Sequence, residues 1–100
     1  MIARARRSMM SPRRSRLEVH IKILDSIRNG LEKPTRIMYA SNLSWRRTME
    51  TIYNLIAQGL VTEIVDTKRG VKSRRRYNLT EKGVSMLEYF DEGRKLLQIY

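Results

Sequence analysis

One hundred residues, 41% of them hydrophobic, are enough for one domain with a small core, and no apolar run reaches the ~18 residues a membrane-spanning helix needs. Cysteine is absent, which excludes disulfides and thiolate metal sites and is compatible with a cytoplasmic protein. Lys and Arg total 21 against 10 Asp and Glu, and a net charge of +11 points to an anionic partner, either nucleic acid or an anionic membrane surface.

The charge is concentrated. Residues 1–16 hold Arg4, Arg6, Arg7, Arg13, Arg14 and Arg16 with no acid. Residues 66–78 hold Lys68, Arg69, Lys72, Arg74, Arg75 and Arg76 against Asp66. These two segments account for the whole +11, whereas charge serving solubility alone is spread and mixed in sign. Residues 1–15 have no apolar period and read as a disordered basic arm. The arm lacks the apolar stretch of a secretory signal. Its composition is shared with organellar transit peptides, and an arm following a DNA groove is the functional alternative.

Residues 17–29 read as the first helix. Leu17, Ile21, Leu24 and Ile27 form its apolar stripe, thickened by Val19, His20 and Ile23, and Gly30 ends it. With no second histidine and no clustered acids nearby, His20 is expected to pack or to bond solvent, not to hold a metal. Pro34 suits the first turn of a second helix, about Thr35 to Ala40, that buries Ile37 and either Met38 or Tyr39. A polar turn around Leu43 follows. The third helix starts after the N-cap Ser44 and places Trp45, Met49, Ile52 and Ile56 at i, i+4, i+7 and i+11 on one stripe. Gly59 closes it. Its opposite face carries Arg46, Arg47, Glu50, Thr51 and Asn54, which include the side-chain types that read base edges and phosphates. The alternative is an ordinary solvated face. Helix, turn and capped helix make a helix-turn-helix, with Ile21, Leu24, Ile37, Leu43, Ile52 and Leu55 as the expected core.

After Gly59 the period changes from 3.6 to 2. Residues 61–65 and 75–79 read as paired strands, with Tyr77 and Leu79 pointing inward. The cation-loaded hairpin between them is self-repulsive unless phosphates relieve it. Thr80 caps a last helix in which Met86, Phe90, Gly93, Leu97 and Tyr100 follow a 4–3 coiled-coil spacing. That seam is expected to bury itself against a second copy, the alternative being a helix folded back on its own domain.

The chain as a whole is therefore mainly α with a two-stranded wing. Its expected plan is a basic arm over 1–15, a winged helix-turn-helix over 16–80 and a dimerisation helix over 81–100. Residues 33–44, Lys33-Pro34-Thr35-Arg36-Ile37-Met38-Tyr39-Ala40-Ser41-Asn42-Leu43-Ser44, and residues 52–60 that follow resemble small basic archaeal winged-helix proteins that dimerise through an antiparallel coiled coil. Tyr77-Asn78-Leu79-Thr80-Glu81-Lys82-Gly83 is similar to the strand-to-helix junction of archaeal and bacterial winged-helix regulators. The resemblance implies a homodimer that binds double-stranded DNA as a transcriptional regulator or chromatin-associated protein in the cytoplasm, on the nucleoid. It covers about residues 17–97. Two features depart from the pattern: the last helix is shorter than the family's, and the arm and hairpin are more basic.

On this reading the DNA contacts are Ser44, Arg46, Arg47, Thr51 and Asn54 in the major groove, with Lys68, Arg69, Lys72, Arg74, Arg75 and Arg76 on phosphates or in the minor groove. No cofactor, metal, membrane or small-molecule substrate is expected. An RNA- or ribosome-binding protein and a protein-interaction adaptor are the alternatives. No catalytic constellation is present, and Tyr77 beside three arginines fits core packing better than a nucleophile near a phosphate clamp.

Overall fold

The computed structural model describes residues 15–66 and 74–97. Among them the order is α1 (Arg16–Arg28), α2 (Pro34–Ser41), α3 (Trp45–Ala57), β1 (Val61–Asp66), β2 (Arg74–Leu79) and α4 (Glu81–Leu97). The expected fold class is found: a mainly helical domain with a two-stranded antiparallel wing.

Local chemistry sets the helix limits. Ser15 Oγ accepts from the Glu18 amide at 3.1 Å while the Glu18 carboxylate accepts from the Ser15 amide, a reciprocal cap that starts α1. Pro34 occupies the first turn of α2, where a missing N–H costs nothing. Ser44 Oγ accepts from the Arg47 amide at 3.1 Å and starts α3.

The first three helices end in one way. Leu31, Leu43 and Leu60 each donate their amide to a carbonyl five residues back, that of Ser26, Met38 and Leu55 respectively. The residue before each leucine, Gly30, Asn42 or Gly59, lies at positive φ of 97°, 56° or 78°. This is the left-handed stop that satisfies the last carbonyls of a helix and turns the next apolar side chain back toward the core. Asn42, absent from the expected set of stops, serves where the other two helices use glycine.

Val19, Ile23, Leu24, Ile27, Ile37, Ile52 and Leu55 form the helical part of the core, and Leu60, Val61, Tyr77 and Leu87 complete it. Ile21 and Leu43, expected at the centre, are only partly buried against it. The α1 stripe is also rotated from the expected one. Leu17 is exposed and, with Ile21 and Phe90, borders an open cleft between α1 and α4. In α2, Ile37 is buried and Tyr39 points to solvent.

The largest difference concerns α3. Its buried positions are Thr48, Thr51, Ile52 and Leu55, while Trp45 is 49% exposed and Met49 and Ile56 lie at the margin. Both threonines donate their hydroxyls into the helix, Thr48 to the Ser44 carbonyl and Thr51 to the Arg47 carbonyl, each at 2.8 Å. With its polar atom satisfied, such a threonine packs as a β-branched apolar residue. The core face therefore runs through the threonines, and Trp45 does not anchor it.

Strands β1 and β2 pair from Val61 opposite Leu79 to Asp66 opposite Arg74. The Tyr77 amide donates to the Glu32 carbonyl at 3.0 Å, which lays the α1–α2 connector along the other edge of β2. Helix α4 is seated by Thr80, whose hydroxyl donates to the Gly59 carbonyl at 2.7 Å and accepts from the Gly83 amide at 3.0 Å. Gly83 must be small, since a Cβ there would lie 2.2 Å from the Leu60 carbonyl oxygen. Among the described residues no helix is long and apolar enough to cross a membrane.

Candidate nucleic-acid interface

Burial of Thr48, Thr51 and Leu55 decides what α3 presents outward. Arg46, Arg47, Glu50, Tyr53 and Asn54 are all exposed, and Ser44 stands exposed at the helix start. Arg46 Nε lies 3.4 Å from Glu50 Oε2, with both side chains mostly in solvent. A pair so exposed is weak and leaves both groups available to a stronger partner. Arg47 and Asn54 line a cleft against α1. Thr51, expected among the outward groups, is a correction: it is 6% exposed and its hydroxyl is committed to the Arg47 carbonyl.

The wing contributes from β2. Lys68, Arg69 and Lys72 lie outside the described residues. Arg74 and Arg75 are exposed, and Arg75 Nη1 donates to the Tyr53 hydroxyl at 3.3 Å. That contact joins the outward side of α3 to the wing. Arg76, expected beside Arg74 and Arg75 among the DNA contacts, is placed differently from them: it is only partly exposed and is ion-paired. Its guanidinium reaches Glu32 at 3.4 Å and Asp66 at 3.5 Å, and its Nε is buried. These two half-exposed ion pairs tie the wing to the connector through Arg76.

Two residues join this surface that sequence reasoning missed. Tyr53 fell between the expected apolar stripe and the polar face, and rotation of the core face toward the threonines moves it outward. Lys33 stands beside Arg74 and Arg75 around an open cleft of about 620 Å³ between the start of α2 and the wing. Its signal was the Lys-Pro step, which fixes it at the N-terminal edge of α2 beside the strand that Glu32 follows.

Tyr77 is fully buried and donates to Glu63 Oε2 at 3.0 Å. Burial first, and the adjacent carboxylate second, push its phenol far above the ordinary range. It is a core residue out of reach of a phosphate. Among the described residues no group of His, Asp and Glu could hold a metal ion.

Along α4, Gly83 and Leu87 are buried, while Met86, Phe90 and Gly93 are intermediate. Leu97 is exposed, as are Tyr89 and Leu96, and Tyr100 lies outside the described residues. Asp91 holds α4 to α1 by accepting from Arg28 at 2.8 Å, and Arg94 joins it at 3.3 Å. The Arg28 guanidinium holds the Asp91 carboxyl below the usual carboxylate range.

A family model described as winged helix-turn-helix matches residues 13–98. The chain belongs to that family. The uncharacterized protein MJ0287 of Methanocaldococcus jannaschii is 38% identical over 71 residues, which are 71% of this chain and 64% of the relative. This winged-helix chain thus spans just under two thirds of that relative's length. A PadR family transcription regulator from Clostridium difficile R20291 superposes with a TM-score of 0.70 at 15% identity, covering 80% of this chain and 90% of its own. The MarR family transcriptional regulator SPO1453 from Silicibacter pomeroyi DSS-3 gives 0.64 at 22% identity, covering 78% and 54%. At such identities these two likenesses establish the winged-helix fold.

Proposed function

We propose that this protein binds double-stranded DNA as a homodimer and acts as a transcriptional regulator or chromatin-associated protein in the cytoplasm, without catalysis. The observation that carries the reading is the Tyr53–Arg75 contact, because it makes the outward side of α3 and the exposed arginines of the wing one continuous surface. In a winged helix-turn-helix the second helix of the motif enters the major groove with its first residues nearest the bases. Ser44, Arg46, Arg47 and Asn54 are the groups for that groove. Arg74 and Arg75, with Lys68, Arg69 and Lys72 of the hairpin, serve the phosphates or the adjacent minor groove. Thr51 and Arg76 drop out of the contact set, for the reasons of burial and pairing given above.

Magnitudes divide the labour. If about five cations per protomer neutralise phosphates, log K falls against log salt with a slope near −4 to −5 per protomer. A good bidentate base contact contributes about 1–3 kcal/mol of discrimination, so Arg46 and Arg47 set preference while the wing sets affinity. The apolar residues exposed along α4 support pairing with a second copy.

Competition between duplex DNA and duplex RNA of equal length, at several salt concentrations, tests the reading. Preference for DNA with a steep salt slope is expected, because the deep, narrow major groove of duplex RNA does not admit a helix. Preference for RNA, or no retention on DNA at physiological salt, would replace it with an RNA-binding or adaptor role.

A further inference from the structure

His20 is the chain's one histidine, and neither the core nor the interface described above uses it. It lines a cleft of about 240 Å³ between α1 and α3, together with Arg16, Arg47, Glu50 and Asn54. The groups come from two helices, and three of them, Arg47, Glu50 and Asn54, belong to the outward side of α3.

The ring is oriented. Its Nδ1 lies 2.7 Å from the Arg16 carbonyl oxygen, and a carbonyl can only accept, so Nδ1 carries a proton. Nε2 is then the nitrogen left for a ligand. On the neutral ring Nε2 is a lone pair and offers nothing to an anion; on the protonated ring it is a charged donor. The charged groups facing the ring are Arg16 on its own helix and Arg47 and Glu50 on α3, while α4 presents only Met86 and Phe90 there. Glu50 is the one acid among them, and its carboxylate is turned to Arg46.

We infer that this cleft seats a backbone phosphate of the bound duplex, held by Arg16 and by His20 Nε2, which donates to it in the protonated form, at the border of the groove that Arg47 faces. The inference rests on the DNA-binding reading and adds a phosphate contact away from the wing, on the side of α3 bordered by α1. A seated phosphate favours the imidazolium, so DNA binding takes up a proton and tightens on acidification.

Equilibrium binding of a labelled duplex to the full chain and to His20→Gln, followed from about pH 8 to about pH 5.5 over a salt series, tests it. In the unsubstituted protein affinity should rise about tenfold per protomer toward acid, and the salt slope should steepen by about 0.9 per protomer. His20→Gln should match the unsubstituted protein at the alkaline end, which also shows that it folds, and should show neither change. Any α-amino group titrates alike in both. Parallel pH profiles, or a salt slope indifferent to pH, would overturn the seat while leaving DNA binding intact. Failure of both proteins to bind duplex at any pH would overturn the DNA reading and the seat with it. In a second arm inorganic phosphate replaces chloride at constant ionic strength. A seat for duplex backbone keeps its pH dependence there, and loss of that dependence would reassign the seat to free phosphate.

Discussion

Helices α3 and α4 each give one face to the same core, and what they leave outside differs in kind. The free side of α3 carries Arg46, Arg47, Glu50 and Asn54, with Tyr53 reaching the wing. The free side of α4 carries Tyr89, Leu96 and Leu97 among the exposed Glu88, Glu92, Arg94 and Lys95. Charged groups lose little by staying in water and gain when an anion replaces their counterions. Apolar side chains gain only when another apolar surface covers them. One helix is suited to a polyanion, the other to a second protein surface, and both are fixed by the same short core.

The largest effect should come from breaking the junction between them. Gly83→Ala drives a Cβ against the Leu60 carbonyl, a backbone atom that cannot step aside. A loss of about 3 kcal/mol in urea unfolding is expected. Unchanged stability would mean that α4 is not seated by this close approach.

Next in size is the wing. Arg74→Ala with Arg75→Ala should reduce the salt slope by about 2 per protomer and weaken all duplexes alike, by about tenfold or more at physiological salt. Arg76→Ala should instead lower stability slightly, because it removes a cation that Glu32 and Asp66 share across the connector and the wing. An Arg76 variant that folds as well as its parent and loses only DNA affinity would reverse that assignment.

On α4, Leu97→Glu should weaken self-association by about tenfold or more in sedimentation equilibrium, the transfer cost of one large apolar side chain. The melting of the domain itself should change little, since Leu97 is 69% exposed and is not one of the buried core residues. A smaller effect is expected where the two regions of the interface meet. Tyr53→Phe removes one neutral acceptor from Arg75 and should reduce DNA affinity about threefold.

The smallest effect concerns the ion pair between α1 and α4. Asp91 has a folded-state pKa below its unfolded one, so its contribution is present above the ordinary carboxylate range and is lost as pH falls through the depressed value. The protection of α4 amides, after correction for the intrinsic pH dependence of exchange, should therefore fall on acidification, and Asp91→Asn should remove that acid limb.

Periodicity made most of the architecture legible. The stop signals Gly30 and Gly59, the caps Ser44 and Thr80 and the change of period after Gly59 are local chemistry, and they lie where expected. The face of α3 was less legible, because a threonine bonded to its own helix is polar by composition and apolar by behaviour. Reading Thr51 as solvent-facing shifted the core toward Trp45 and hid Tyr53. Arg76 could not be told from Arg74 and Arg75 by sequence, since its partners Glu32 and Asp66 meet it only when the connector lies along β2. Lys33 was missed for the same reason.

The most direct test of the account follows backbone amide shifts of the labelled protein as duplex DNA is added. Perturbations gathered at residues 44–54 and at Arg74 and Arg75, with the exposed end of α4 unmoved, are the predicted result. Shifts confined to Tyr89, Leu96 and Leu97, with α3 and the wing silent, would contradict it.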